Sequence, residues 1–225
     1  MEDKKIKIVE TGDGSSTLYN EELNETYHSS HGALTESRHV FIKAGFAPVS
    51  EKTKEVAILE IGFGTGLNAI LTIEEALKNP DIQIVYTTLE PFPLDNDLVE
   101  GLNYKQLIDE SLHPYFDQLH QATWNEDVQI LPNFILHKAD KKLEEFDAKN
   151  RRFNLVYYDA FAPSKQPDMW TEDNLAKCFA LSQEECMLVT YCASGQFKRN
   201  LKSAGFAIES YPGPPGKREM TRGLK

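Results

Sequence analysis

A chain of 225 residues, 40% hydrophobic and 26% charged, is long enough for one α/β domain with an elaboration, but no apolar run approaches the ~20 residues of a membrane span. Its formal net charge of -11 argues, taken alone, against a nucleic-acid partner, and its N-terminus, MEDKKIKIVE, lacks an apolar signal core. Three cysteines (Cys178, Cys186 and Cys192) without CxxC spacing favour reduced thiols in a cytoplasm.

The N-terminal stretch is predicted to be a small β/α elaboration, residues 1–50, packed on a core domain of residues 51–225. KIKIVE and STLYN predict short strands around the turn TGDGSS, and Thr35 is placed to cap a helix through Val40 and Ile42. Two interpretations stay open for this segment: a solvated cap over the sheet edge, or a lid over a ligand pocket. Its histidines have no familiar metal-ligand spacing, so no metal is predicted.

The run VAILEIGFGTGLN, residues 56–68, predicts a buried strand, a glycine turn and a helix N-terminus. Gly62, Gly64 and Gly66 remove side-chain bulk where a ligand would approach the main chain. The spacing G-x-G-x-G does not fit the dinucleotide fingerprint, and no Lys-Ser or Lys-Thr follows it as a P-loop requires. The stretch therefore predicts a nucleotide-type pocket of another kind, with Glu60 at the strand end.

Acidic residues stand at the ends of four successive predicted strands: Glu60, Glu90, Asp140 and Asp159. Ligands of open α/β sheets bind beyond such carboxyl ends. Glu90 closes QIVYTTLEP, 24 positions after Gly66, where a carboxylate can accept hydrogen bonds from both ribose hydroxyls. Asp140 follows NFILHKAD, and two interpretations stay open: it faces an adenine, or it caps a helix in KKLEEFDAK.

The C-terminal half predicts the rest of the sheet. FNLVYYDAFAP and MLVTYCA are strands, Thr171 and Gly205 are placed to cap helices, and FAIESYP and REMTRGL are two final strands. Their connection, GPPGK, is short enough to allow antiparallel pairing only. The sequence thus predicts an α/β fold with a mostly parallel seven-stranded sheet that ends in an antiparallel hairpin.

These motifs resemble known proteins at two levels. E-x-G-x-G-x-G is similar to motif I of class I S-adenosylmethionine (SAM) methyltransferases, a Rossmann-like fold. More narrowly, DAFAPSKQPDMWT, CASGQFKRNLKSAGF and GPPGKREMTRG resemble the methyltransferase half of the bifunctional tRNA 5-methylaminomethyl-2-thiouridine biosynthesis (MnmC) family. YHSSHGALTESRHVFI and EIGFGTGLN fit the same family, so the likeness runs from about Tyr19 to Leu224.

The resemblance implies an activity: methyl transfer from SAM to the 5-aminomethyl nitrogen of wobble (2-thio)uridine 34 in tRNA, giving 5-methylaminomethyl uridine. The family's acidic active-site residue falls on Asp159, although Ala160 stands where relatives commonly have glycine. Together with the strand-end pattern, the resemblance predicts a SAM site made of Glu60, Gly62, Gly64, Gly66, Asn68, Glu90 and Asp140.

The expected cofactor is SAM alone. Relatives carry a second, FAD-dependent half, whereas nothing follows Lys225 here and no dinucleotide fingerprint occurs. The resemblance is therefore to a stand-alone methyltransferase without FAD or metal, which receives its amine ready-made.

A tRNA partner is negatively charged, as is the protein with its net charge of -11. The last 28 residues carry seven basic side chains (Lys198, Arg199, Lys202, Lys217, Arg218, Arg222 and Lys225) against Glu209 and Glu219. This stretch predicts a phosphate-contacting surface, with Lys165 beside it, although an ordinary solvated face stays open. Phe161 and Trp170, like Tyr157 and Tyr158, are candidates to stack on an extruded uridine or to lie in the core. The tRNA candidates are Phe161, Lys165, Trp170, Lys198, Arg199, Lys217 and Arg218.

Two other functions stay open. One is methyl or aminopropyl transfer to a small-molecule amine on the same fold, which would require a closed acidic pocket. The other is an RNA-binding module without catalysis, which an intact Asp159 and glycine loop disfavour. The sequence does not indicate the oligomeric state.

Overall fold

The computed structural model describes residues 6–225 of the chain. A small antiparallel sheet comes first, and it confirms the strands expected in KIKIVE and STLYN. Its strands are β1 (Ile6–Glu10), β2 (Ser16–Asn20) and β3 (Glu25–Thr26). The turn between β1 and β2 carries Asp13, whose carboxylate accepts hydrogen bonds from the backbone N–H (2.9 Å) and the hydroxyl (2.8 Å) of Thr35. This turn is thereby tied to the helix that follows.

A continuous helical segment follows the small sheet and changes type along its length: α1 (Ala33–Ser37), a π-helical stretch (Arg38–Phe46) and α2 (Ala47–Ser50). The prediction that Thr35 caps this helix is wrong, because Thr35 lies inside the first turn and Asp13 binds its N–H instead. The buried face of the segment packs against the main sheet, and Phe41 contacts Tyr157 with ring centroids 5.1 Å apart.

The main sheet confirms a mostly parallel arrangement ending in an antiparallel hairpin. Its order is β10-β11-β9-β8-β4-β5-β7-β6, with β4, β5, β7, β8 and β9 parallel and β11 antiparallel to both of its neighbours. The strands are β4 (Glu55–Ile61), β5 (Gln83–Leu89), β6 (Asp127–Leu131), β7 (Phe134–Ala139), β8 (Phe153–Tyr158), β9 (Ser182–Thr190), β10 (Ala207–Pro212) and β11 (Glu219–Leu224).

The sheet has eight strands where seven were predicted. The additional strand is β6, which pairs antiparallel with β7 at the sheet edge. Only the end of β6 is buried, and Asp127 and Gln129 are exposed. Since a short edge strand with exposed polar residues has little of the apolar run that marks the central strands, the sequence pattern did not reveal it.

Helices cover both faces of the sheet: α3 (Leu67–Lys78), α4 (Asn96–Glu100), α5 (Tyr104–Leu107), α6 (His113–Gln121), α7 (Glu172–Leu181) and α8 (Gly195–Ser203). Thr171 caps α7 as expected, since its hydroxyl accepts the N–H of Asn174. The helix predicted in KKLEEFDAK is wrong: only a 3₁₀ turn, Leu143–Glu145, forms there. Phe146 is extended and buried, so the chain turns into the core instead of continuing as a helix.

The strand order indicates the edge of the sheet at which a ligand would bind. β5 and β7 continue from one side of β4, and β8 and β9 from the other, so the chain reverses direction across the sheet between β4 and β8. Ligands of open α/β sheets bind at the carboxyl ends of strands where this reversal occurs. Among residues 6–225, no helix combines the length and the apolar character that a bilayer crossing demands.

Candidate active site

The glycine loop joins β4 to α3 with a backbone that side chains would obstruct. Gly62, Gly64 and Gly66 all have positive φ, at 95°, 49° and 72°. A Cβ atom on Gly62 would lie 2.7 Å from the carbonyl oxygen of Asp159. The loop can therefore lie directly against the end of β8 only because Gly62 has no side chain.

Gly62→Ala is expected to lower the free energy of unfolding by about 2–3 kcal/mol, because it adds a backbone clash to an unfavourable positive φ. Gly14→Ala is the matched control: Gly14 also has a positive φ (80°), but nothing lies within 4 Å of the added Cβ. That variant should lose only about 1 kcal/mol. Urea unfolding of both variants measures the difference, and equal losses would contradict the close approach at Gly62.

A pair of carboxyl groups lies behind the loop, and one amide connects them. The Nδ2 of Asn68, in the first turn of α3, donates to Oδ2 of Asp159 (2.8 Å) and to Oε1 of Glu60 (3.1 Å). Asp159 follows β8, and its backbone N–H donates to the carbonyl of Ile61 (3.0 Å). The adjacent ends of β4 and β8 thus hold the two acids on either side of one amide.

Burial raises the pKa of both acids, and to different values. Glu60 is fully buried, which raises its pKa to about 8, although the hydrogen bond from Asn68 opposes the rise. Burial also raises the pKa of Asp159, to about 7; Asn68 and the charge of Lys217 oppose this shift, and the charge of Glu36 adds to it. Near neutral pH Glu60 is therefore mostly a neutral acid, and Asp159 is poised to take up or release a proton.

A cavity of 940 Å³ opens at the carboxyl ends of β4, β5 and β8. It brings together six of the residues singled out from the sequence: Gly62, Gly64, Asn68, Glu90, Asp159 and Phe161. The Glu90 carboxylate is part of the loop architecture, since Oε2 accepts the N–H of Gly64 (3.1 Å) and Oε1 accepts the N–H of Phe92 (3.0 Å). Glu60 and Gly66 lie behind this lining and support it.

The N-terminal segment closes one side of the cavity, which favours the lid over the solvated cap. Tyr27 and His28 line it. The Tyr27 ring lies in T-shaped contact with Phe161, with centroids 4.9 Å apart. A Cβ on Gly64 would meet the same ring at 3.3 Å, so Tyr27 lies directly over the glycine loop. Sequence reasoning could not place Tyr27, because only the folding of the small sheet brings it here.

Two predicted site residues lie elsewhere. Asp140 is exposed and outside the cavity lining, which its neighbours Lys141 and Lys142 join instead. Trp170 is 3% exposed, and its indole N–H donates to the carbonyl of Phe161 (2.7 Å). Of the two alternatives left open for Trp170, the structure shows the core position, as it does for Tyr157 and Tyr158.

Most basic side chains of the C-terminal stretch bind acids or backbone carbonyls of the protein itself. Lys198 pairs with Glu219 (2.9 Å) and Lys217 with Glu36 (2.6 Å), so an acid offsets the charge of each. Phosphate contact by these two lysines stays a prediction. Arg222 is buried and donates to the carbonyl of Ala44, and Lys225 donates to two backbone carbonyls. The exposed basic side chains of the stretch are Arg199, Lys202 and Arg218. Lys165 is half-buried in the loop after Asp159.

Comparison with known proteins gives the family. A family model described as S-adenosyl-L-methionine-dependent methyltransferase matches residues 103–225. The tRNA 5-methylaminomethyl-2-thiouridine biosynthesis bifunctional protein MnmC of Hydrogenovibrio crunogenus is 31% identical over 99% of this chain, and that of Pseudomonas paraeruginosa is 33% identical over 89%. The chain spans about a third of the length of these relatives, 34% and 32%.

Solved structures agree with this assignment. MnmC2 from Aquifex aeolicus superposes with a TM-score of 0.82 and 25% identity, covering 99% of this chain and 71% of that one. Spermidine synthase from Thermotoga maritima, at 14% identity and a TM-score of 0.50, shares the fold; 97% of this chain and 72% of that one are covered. The 940 Å³ cavity beside the glycine loop, with Glu90 in its lining, fits a nucleoside cofactor such as SAM. The chain therefore belongs to this family of S-adenosyl-L-methionine-dependent methyltransferases, and MnmC proteins are its relatives.

Proposed function

We propose that the chain methylates the nitrogen of the 5-aminomethyl group on wobble (2-thio)uridine 34 of tRNA, with SAM as the methyl donor. The name and the extent of the MnmC relatives support the substrate class. The observation that carries the proposal is the Asp159 carboxylate, held by Asn68 at 2.8 Å in the lining of the cavity beside the glycine loop. A single oriented carboxylate is what an amine acceptor requires.

The cofactor site in this proposal consists of the glycine loop and the end of β5. The backbone at Gly62 and Gly64 would hold the amino-acid part of SAM, and Glu90 its ribose. When bound, SAM supplies an electrophilic methyl group on a sulfonium. The N–H groups of Gly64 and Phe92 already orient the Glu90 carboxylate. Asp140 takes part only if its side chain turns inward, so Glu90 is the stronger of the two predictions.

Asp159 has two tasks toward the acceptor. A primary alkylamine is mostly an ammonium near neutral pH, and an ammonium has no lone pair with which to attack. The ionised Asp159 accepts that proton and orients the nitrogen, and a pKa raised to about 7 makes it an effective base at neutral pH. The hydrogen bond from Asn68 leaves the other oxygen, Oδ1, for the amine. Orientation supplies part of the rate increase in addition to proton transfer.

The tRNA surface in this proposal is smaller than the composition of the C-terminal stretch suggests. Lys198 and Lys217 are neutralised by acids, so phosphate contacts fall to Arg199, Arg218 and Lys165, with Lys141 and Lys142 at the cavity. Five such contacts predict that tRNA affinity falls by roughly 100-fold or more when the salt concentration rises fourfold. Phe161, half-buried in the cavity lining, is the remaining candidate for contact with the uracil ring.

A second candidate, methyl or aminopropyl transfer to a small polyamine, is favoured by one observation. The cavity lining contains more acidic than basic side chains, and a polycationic amine would be attracted to it. The acids are Glu22, Glu90, Asp95, Glu144, Asp159 and Asp168, and the bases are Lys141 and Lys142.

The test uses purified protein, radiolabelled SAM and bulk tRNA carrying 5-aminomethyl uridine, followed by digestion to nucleosides. Label in 5-methylaminomethyl uridine is the expected result. Parallel reactions contain putrescine or spermidine in place of tRNA, and tRNA lacking the aminomethyl group serves as the control. Label in the polyamines alone would overturn the proposal in favour of the second candidate.

A further inference from the structure

Lys217 lies at the same edge of the sheet as Asp159. It lies in the turn between β10 and β11, and this turn is at the carboxyl edge of the sheet because β10 runs in the same direction as β9. Its Nζ is 2.6 Å from Oε1 of Glu36 and 4.0 Å above the ring of Tyr191. The side chain therefore lies along the protein surface, half-buried between Glu36 and Tyr191.

Glu36, the partner of Lys217, is held in place by burial and by a second hydrogen bond. Its side chain is only 9% exposed, and its other oxygen, Oε2, accepts the backbone N–H of Ser29 (2.8 Å). Two further contacts join the same parts of the chain: the His31 ring packs against Gly216, and the His39 Nε2 lies 2.7 Å from the carbonyl oxygen of Pro212. The N-terminal segment and the β10–β11 turn therefore form one wall.

Tyr191 connects this wall to the catalytic loop. It follows β9, and its hydroxyl donates to the carbonyl of Ala160 (2.8 Å), the residue after Asp159. Asp159 thus lies between the glycine loop on the cofactor side and the wall of Glu36, Lys217 and Tyr191 on the β9 side. The cavity lies on the glycine-loop side of Asp159, and the wall lies on the other side, beyond the cavity lining.

The wall carries one charge of each sign near Asp159. The negative charge of Glu36 raises the pKa of Asp159, and the positive charge of Lys217 lowers it. The other polar groups that face Asp159 are Asn68, which donates to it, and the buried acid Glu60. Three tyrosines also interact with its charge: Tyr86, Tyr104 and Tyr191, whose pKa values are raised by burial so that they stay neutral.

We propose that Glu36 and Lys217, which contact the Asp159 loop through Tyr191, are positioning residues that set the charge state of Asp159 from the β9 side of the site. The two charges act on the Asp159 carboxyl in opposite directions, so removal of either one alone should change its protonation, and the two changes should be opposite in sign. The inference rests on the proposed function, because Asp159 acts as the base for an amine only in that reaction. The charge coupling itself exists with or without that substrate.

The experiment titrates Asp159 directly in the free protein. Carboxyl ¹³C resonances of aspartate-labelled protein are followed between pH 4 and pH 9, and Asp159→Asn identifies the signal of interest. Glu36→Gln should move the midpoint down and Lys217→Met should move it up, each by about half a pH unit or more. The double variant should return close to the wild-type midpoint. Lys217→Arg keeps the charge and should behave like wild type.

Lys54→Met provides the matched control, since Lys54 pairs with Asp81 (2.8 Å) at the opposite edge of the sheet. Its Asp159 midpoint should not move. Equal midpoints in Glu36→Gln, Lys217→Met and wild type, or shifts in the same direction, would overturn the inference. If the opposite shifts occur but the wild-type protein does not methylate tRNA, the inference stands and the proposed function fails. If tRNA is methylated but the midpoints do not shift, the proposed function stands and the inference fails.

Discussion

Asp159→Asn is expected to reduce the proposed methyl transfer to aminomethylated tRNA at least about 100-fold, while SAM binding stays within a few-fold of wild type. The asparagine side chain has nearly the same shape but cannot accept a proton from an ammonium. The N–H of Gly64 holds Glu90 and Asn68 holds Asp159, so the glycine loop and Glu90 should keep their arrangement in the variant. Single-turnover transfer of labelled methyl and calorimetric titration with SAM measure the two effects separately.

Asp173→Asn is the isosteric control for this change. Asp173 is exposed in the first turn of α7 and lies outside the cavity lining, so its loss should leave transfer near the wild-type rate. Full turnover by Asp159→Asn would exclude a proton-accepting role. A parallel loss of SAM affinity would instead assign Asp159 to the cofactor.

Glu60→Gln is expected to stabilise the protein, and more so as the pH rises. The pKa of Glu60 is about 8 in the folded protein against an ordinary value of 4.5. Between these values the unfolded chain loses the proton while the folded protein keeps it, so the wild type loses stability as the pH increases from about 4.5 to about 8. Glutamine removes this penalty, and its carbonyl oxygen can still accept from Asn68. The gain should be below about 0.5 kcal/mol at pH 4.5 and about 4 kcal/mol at pH 8.

Urea unfolding at pH 5 and pH 8 tests this dependence. Glu55→Gln is the control, because Glu55 begins the same strand but is exposed. It should change stability little at either pH. A gain for Glu60→Gln that is equal at both pH values would show that Glu60 is ionised in the folded protein and is not held as a neutral acid.

The sequence predicted the centre of the site because local rules govern it. An apolar run that ends in alternating glycines is compatible with few backbone conformations. Parallel strands then place their carboxyl ends at one edge of the sheet. Gly62, Gly64, Glu90 and Asp159 therefore meet in the cavity as expected. Their positions depend on the strands to which they belong and little on the rest of the chain.

The misplaced residues depend on contacts between distant segments. Trp170 is aromatic and close to Asp159 in sequence, but a core of Tyr158, Tyr191 and Phe197 surrounds it. Lys217 belongs to a basic stretch, yet its partner Glu36 is 181 positions away. Composition counts a charge without showing which other charge lies beside it, so the sequence could not show that acids offset the charges of Lys198 and Lys217.

The position of β11 has a consequence for how the protein is made. Among the described strands it is the last to be synthesised, yet it lies inside the sheet between β9 and β10. Until residues 219–224 emerge from the ribosome, β9 has a bare edge and β10 has no neighbour. Lys217 also emerges at that stage, so the wall beside Asp159 is completed at the same time as the sheet. A nascent chain therefore exposes an unpaired central strand until then, and we expect its folding to be slow and to need protection from aggregation.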